Sequence, residues 1–304
     1  MTPLPKRDIY IGISLAILAT LIWSGNFIVA RGVIKDIPPV TLAFYRWVTA
    51  TLIIFPFAQK YFLAELPLVK KNFLYFLLTA ATGISLFNTL VYIGGHYSEA
   101  INLALIGTTS SPIMSVILAR IFLKEKISVF RIAGMVVCIA GVLLLLSKGS
   151  WDTLLSFSFS EGDLWVLAAA LSFSIYNTMV KKKPVGMNPT SFLFVIFLMG
   201  TLLLLPFYLY EFNMKGGIAF NLSNVSVILY LGIAASVIAF MIWNMAIVKL
   251  GSGRTALFGN LIPVFSSIEA VFILGEKITW VHMASFVLVI TGLVIANLTK
   301  RSIN

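Results

Sequence analysis

Residues 125–141, Glu-Lys-Ile-Ser-Val-Phe-Arg-Ile-Ala-Gly-Met-Val-Val-Cys-Ile-Ala-Gly, and residues 276–292, Glu-Lys-Ile-Thr-Trp-Val-His-Met-Ala-Ser-Phe-Val-Leu-Val-Ile-Thr-Gly, decide how this chain folds. Both open on Glu-Lys-Ile, enter an apolar run and reach glycine at the same position, 151 residues apart. Pro112 falls on Pro263 at the same offset. At an offset of 150, Ser24 falls on Ser174, Pro39 on Pro189, Phe44 on Phe194 and Pro56 on Pro206. The change from 150 to 151 is one inserted residue near the loop between the second and third apolar segments. The chain therefore reads as an internal repeat, with halves at 1–150 and 151–304.

Outward from these stretches the chain stays apolar. Hydrophobic residues make up 60%, and the charged share is 11%, against about a quarter in soluble domains. A membrane-crossing helix needs roughly 20 mostly apolar residues. Ten such spans fit, at about 10–30, 40–58, 73–94, 98–122, 129–146, 162–180, 190–210, 224–248, 253–274 and 280–298. The expected fold is an all-α integral membrane protein of ten transmembrane helices. Its N-terminal segment is too long for a signal peptide, and no small-x-small cleavage site follows it.

Five spans per half is an odd number, so the second half enters the membrane from the opposite side. The fold is thus expected as two inverted-topology five-helix repeats, an arrangement common in secondary transporters, whose substrate sites lie near the midplane. Assigning alternate loops to opposite sides puts sixteen of the 22 Lys and Arg on the N-terminal side and five on the other, with Arg46 inside the second span. By the positive-inside rule both termini are cytoplasmic. The net charge of +11 is then a topology signal; the run Lys181-Lys182-Lys183 reads as the same signal or as a site for anionic lipid or substrate, and nucleic acid is not an expected partner.

Cys138 is the single cysteine, and His96 and His282 are the two histidines, so disulfides and Cys/His metal sites are not expected. A phosphate-cradling loop with Lys and Ser/Thr is absent, and the loops are too short for a nucleotide-binding domain. No cofactor is expected. Neither a Ser/His pair nor paired intramembrane aspartates support an enzyme.

Three groups of motifs carry a resemblance: Ile22-Trp-Ser-Gly-Asn-Phe-Ile-Val-Ala-Arg31; Ile37-Pro-Pro-Val-Thr-Leu-Ala-Phe-Tyr-Arg-Trp47; and Gly251-Ser-Gly-Arg-Thr-Ala-Leu-Phe258 with Leu261-Ile-Pro-Val-Phe265 and Leu274-Gly-Glu-Lys277. Together they resemble EamA-type members of the drug/metabolite transporter superfamily, over residues 8 to 298. The resemblance implies a ten-helix bundle, usually an exporter of amino acids or other small metabolites across a bacterial inner membrane.

Pro112 and Pro263, repeat partners near the middle of the fourth and ninth spans, are expected to loosen both helices at midplane depth. Polar residues accompany them: Asn102, Thr108, Thr109, Ser110 and Ser111 in one, Thr255 and Asn260 in the other. Trp23 and Asn26, Asn88 and Tyr92, Tyr176 and Asn177, and Trp243 and Asn244 are the further substrate-binding candidates, on the first, third, sixth and eighth spans. A wall of aromatic faces and amides suits a partly apolar zwitterion or small amphiphile, whereas phosphate demands several inward Lys or Arg.

Arg46 and Glu269 are the two clear intramembrane charges, about 8 to 9 Å deep from the non-cytoplasmic end by helix rise. Their repeat counterparts, Ile196 and Leu118, are apolar, so the scaffold does not require them. Glu269 reads either as a proton-coupling carboxylate or as the ionised partner of Arg46; both join Pro112 and Pro263 as coupling or gating candidates. Glu125 and Glu276 read as caps of the following helices. Gly134, Ala140, Gly141, Ala284, Ser285 and Gly292 permit close helix approach, in an internal or a homodimer interface. The function expected is secondary transport by alternating access, exporting a small solute, with proton exchange as the drive. An uptake carrier, a nucleotide- or lipid-linked-sugar exchanger, and a non-transporting scaffold or sensor are the alternatives.

Overall fold

A computed structural model describes residues 6–33, 37–97, 100–156, 160–274 and 278–298; for 26–33 and 100–105, among others, it describes the backbone path alone. Among the described residues there is no strand, and ten helical segments follow the expected order. These are α1 (Lys6–Val33), α2 (Pro39–Lys71), α3 (Phe73–Ala80, Ala81–Leu86 and Phe87–Tyr97), α4 (Ala100–Phe122) and α5 (Val129–Leu146). Then come α6 (Glu161–Lys181), α7 (Pro189–Lys215), α8 (Leu222–Leu229, Tyr230–Ile238 and Ala239–Leu250), α9 (Ser252–Ala256, Leu257–Asn260 and Leu261–Leu274) and α10 (Trp280–Asn297). A short helix, Trp151–Leu155, lies between the halves. Among the described residues, eight segments are long and apolar enough to cross a membrane; α4 contributes a shorter apolar stretch, Ile106–Phe122, and α9 is broken.

Local chemistry explains several boundaries. Pro39 and Pro189 stand in the first turns of α2 and α7, where a missing N–H costs nothing. Asn188, Ser128 and Asn221 cap α7, α5 and α8 by accepting from Thr190 N, Arg131 N and Asn224 N. Helix α2 runs on to Lys71, not to 58 as expected. Hydropathy falls after Pro56, but residues such as Leu63, Ala64, Glu65 and Leu66 keep a strong helix preference, and Glu65 is anchored by accepting from Asn188 N at 2.8 Å.

The packing follows the repeat. Helix α5 lies along its counterpart α10, and α2 along α7, while α1 against α8 and α9 matches α6 against α3 and α4. Across α2 and α7 the repeat partners Trp47 and Phe197 face each other with ring centroids 5.0 Å apart. Between α5 and α10 the backbones nearly touch: a Cβ on Gly134 would lie 2.3 Å from Gly292 O, and one on Gly292 would lie 2.6 Å from Gly134 O. Gly141 approaches Ser285 O in the same way. Gly134, Gly141, Ser285 and Gly292 thus build an internal interface, while Ala140 is exposed.

The interruptions coincide with one of the two prolines. Helix α4 passes through Pro112 unbroken, because a proline in a helix can be met by local bending without loss of the helical path. In α9 the break is a 3₁₀ turn at Leu257–Asn260, just ahead of Pro263. The matched irregularities are instead π-helical stretches, Ala81–Leu86 in α3 and Tyr230–Ile238 in α8.

Candidate functional site

A cavity of about 170 Å³ lies between the halves, walled by α1, α2, α3, α4, α6, α8 and α9. Six aromatic rings stand in its mainly apolar wall. Trp23 makes an edge contact with Phe173 (5.8 Å) and a tilted one with Trp243 (4.9 Å), and Phe87 stacks on Phe173 at 4.4 Å. The rings alternate between the repeats: Trp23 corresponds to Phe173, and Tyr92 to Trp243.

Arg46 forms the polar pole of this cavity and is 1% exposed. Its Nε donates to Ser236 Oγ (2.7 Å), Nη1 to Asn88 Oδ1 (2.9 Å) and Tyr92 Oη (3.2 Å), and Nη2 to Ala235 O (3.1 Å). The π-helical stretch of α8 supplies two of these acceptors. Irregular helix geometry of this kind presents backbone groups that a regular helix keeps to itself, and Ala235 O also accepts from Trp23 Nε1 at 2.8 Å. Asn88 Nδ2 is buried without a hydrogen-bond partner. On the far wall Asn177 Oδ1 accepts from Trp243 Nε1 at 2.9 Å.

The family model of the EamA-like transporter family matches residues 10–147 and again 160–298. The chain belongs to that family. Among curated relatives, "Uncharacterized transporter YyaM" of Bacillus subtilis is 28% identical, covering 95% of this chain and 94% of its own. A protein named "Uncharacterized transporter" in Archaeoglobus fulgidus is 27% identical over 86% of this chain and 88% of its own. A "Probable amino-acid metabolite efflux pump" of Salmonella typhimurium is 25% identical over 92% and 93%. A solved crystal structure shares the EamA-like fold with a TM-score of 0.73 at 16% identity, over 96% of this chain and 97% of the other.

Of the residues singled out in the sequence of this EamA-like transporter, Trp23, Arg46, Asn88, Tyr92, Thr108, Pro112, Asn177 and Trp243 line the cavity. Others do not. Tyr176 donates to Asn244 Oδ1 at 2.7 Å, and the pair packs outside the lining. Asn260 turns back to donate to Leu257 O, closing the 3₁₀ turn of α9, and Pro263 is buried outside the lining. The side chains of Asn26 and Asn102, like Glu276, lie outside the described residues.

Arg46 and Glu269 form no ion pair: the guanidinium is turned to α3 and α8, while Glu269 Oε1 contacts Ser24 Oγ at 2.7 Å. Phe87, Phe173 and Phe240 complete the aromatic wall and had not been singled out. The repeat offset that pairs Phe173 with Trp23 is the signal that identifies it.

Where α1 begins, a polar network ties the helices together. Lys249 Nζ bonds Asp8 Oδ1 at 2.5 Å, and Lys181 Nζ donates to Val248 O at 2.6 Å. Glu125 does not cap α5, which Ser128 does. Its carboxylate instead accepts from Ser252 N at 3.1 Å and pairs with Arg131 at 3.6 Å. Gly251, with φ of 92°, lets the carboxylate approach; a Cβ there would lie 2.7 Å from Glu125 Oε1. In the adjoining α6–α7 turn, burial holds the Lys183 ammonium below its ordinary value, opposed by nearby Glu65.

Proposed function

We propose that this chain exports amino acids, or small carboxylates with an apolar body, across the cytoplasmic membrane in exchange for protons. The carrying observation is Arg46: a cation buried in an aromatic-walled cavity, with no carboxylate among the described residues paired to it. A buried charge without a counter-ion is costly, and a carboxylate ligand supplies one. Asn88 Nδ2 offers a second donor beside it, and the rings of Trp23, Phe173 and Trp243 cover the ligand's apolar part.

The two repeats, each with an odd number of crossings, support alternating access, in which one cavity opens to either side in turn. The name of the Salmonella relative, an amino-acid metabolite efflux pump, supports the solute class. Against an exchanger of nucleotide- or lipid-linked sugars stands the single cationic side chain among the described residues of the lining. The volume of about 170 Å³ is also below the roughly 300–1,000 Å³ of sites for drug-sized ligands. Reconstitution tests the proposal: purified protein in liposomes exchanges a labelled apolar amino acid, and failure with a broad amino-acid panel under every imposed gradient contradicts it.

A further inference from the structure

Glu269 stands on α9, outside the cavity lining, with Ser24 of α1 as its hydrogen-bond partner. Ser24 Oγ lies 2.7 Å from Glu269 Oε1 and also 2.6 Å from Leu21 O. Both separations are those of strong O–H···O bonds. Yet Ser24 has one hydroxyl hydrogen, and Leu21 O has none to give. If Ser24 donates to Leu21 O, the hydrogen on the other bond belongs to Glu269. The second carboxyl oxygen, Oε2, is buried and without a partner, a cost far smaller for a neutral acid than for a carboxylate.

Among the described residues, no cation pairs with Glu269. From α8, the Tyr230 hydroxyl donates to Ile22 O at 2.5 Å. From α2, Arg46 is committed to Ser236, Asn88, Tyr92 and Ala235 O. Helix α4 carries Arg120 in its last turn, and α5 carries Arg131, paired with Glu125, and Cys138, which donates to Val289 O. On α10, His282 is bonded to Thr279. Asp8 and Lys249, at the opposite end of α1 and α8, bond each other.

We infer that Glu269 is a proton-binding site, occupied in this conformation by a proton that its Oε1 shares with Ser24 Oγ. The inference rests on the transport reading for its purpose. Ser24 follows Trp23, whose ring walls the cavity, so a movement of α1 that reshapes the substrate site also parts Ser24 from α9. The Oε1–H bond then breaks, one proton passes to water, and Glu269 is left as a hydrated carboxylate with one negative charge. Substrate and proton are linked through adjacent residues of one helix.

Infrared difference titration of the full-length protein in lipid nanodiscs tests the site directly. Wild type is expected to show a protonated-carboxyl C=O band that is lost as pH rises and is missing in Glu269→Gln. The amide donates to Ser24 Oγ as the acid does, so this variant is expected to fold. If it does not, carbodiimide labelling of wild type, which requires a protonated carboxyl, is read at Glu269 by peptide mass. In liposomes, Glu269→Gln is expected to lose solute accumulation driven by a pH gradient while keeping solute-for-solute exchange. A wild-type Glu269 ionised at neutral pH, or a Glu269→Gln variant that still accumulates solute from a pH gradient, overturns the inference. A wild type that moves no solute contradicts the transport reading instead and leaves the infrared result standing.

Discussion

Thr51 Oγ1 and Thr201 Oγ1 meet at 3.3 Å where α2 crosses α7, and the two residues are repeat partners 150 positions apart. Each hydroxyl already bonds its own helix, Thr51 to Trp47 O and Thr201 to Phe197 O, both at 2.7 Å. With both hydrogens spent, the contact between the oxygens is packing and not a hydrogen bond. The double variant Thr51→Val with Thr201→Val is therefore expected to change stability by no more than about 1 kcal/mol. Thermal unfolding in detergent checks this; a large loss means the hydroxyls hold the helices together.

The α5–α10 seam behaves differently. In Gly134→Ala the new Cβ meets Gly292 O at 2.3 Å and Ala296 N at 2.5 Å, both backbone atoms that cannot swing aside. The helices must separate, at a cost of about 1–3 kcal/mol. The same thermal measurement is expected to show a clear drop, and an unchanged midpoint contradicts the seam.

Glu125 links the α4–α5 turn to the start of α9 through Ser252 N. Glu125→Ala removes that link and its pairing with Arg131. In a Cys138→Ser background, a cysteine placed at Ala256, which lines the cavity, is expected to react faster with an impermeant maleimide supplied from the side where α1 begins. Equal rates with and without Glu125 remove it from any gating role.

Trp243 holds Asn177 through its indole N–H. Trp243→Phe keeps an aromatic wall but leaves Asn177 Oδ1 without that donor, a loss of about 1–3 kcal/mol in stability. Trp243→Ala loses the wall as well, so exchange of apolar amino acids is expected to fall in Trp243→Ala well below Trp243→Phe. Equal exchange in both places Trp243 outside the solute's path.

The sequence made the ten segments and their repeat legible because apolar length and a constant offset survive without any knowledge of packing. Depth along a helix was legible too, which is why Trp23, Asn88 and Trp243 reach the cavity. Rotation was harder. Asn260 stays off the cavity wall because the 3₁₀ turn of α9 rotates it back onto Leu257 O, and Asn244 because Tyr176 holds it outside the lining. With 24 phenylalanines in the chain, apolarity alone could not single out Phe87 or Phe240. The π-helical stretches of α3 and α8 carry close contacts such as Gly83 under Tyr176 and Gly232 under Thr49, which exist only once the helices are assembled.

Counterflow in liposomes tests the central claim most directly, by comparing a labelled apolar amino acid with its carboxamide in wild type and in Arg46→Gln. The account predicts that wild type exchanges the amino acid and not the carboxamide, and that Arg46→Gln loses the exchange. Equal exchange of both solutes, or full exchange by Arg46→Gln, would contradict it.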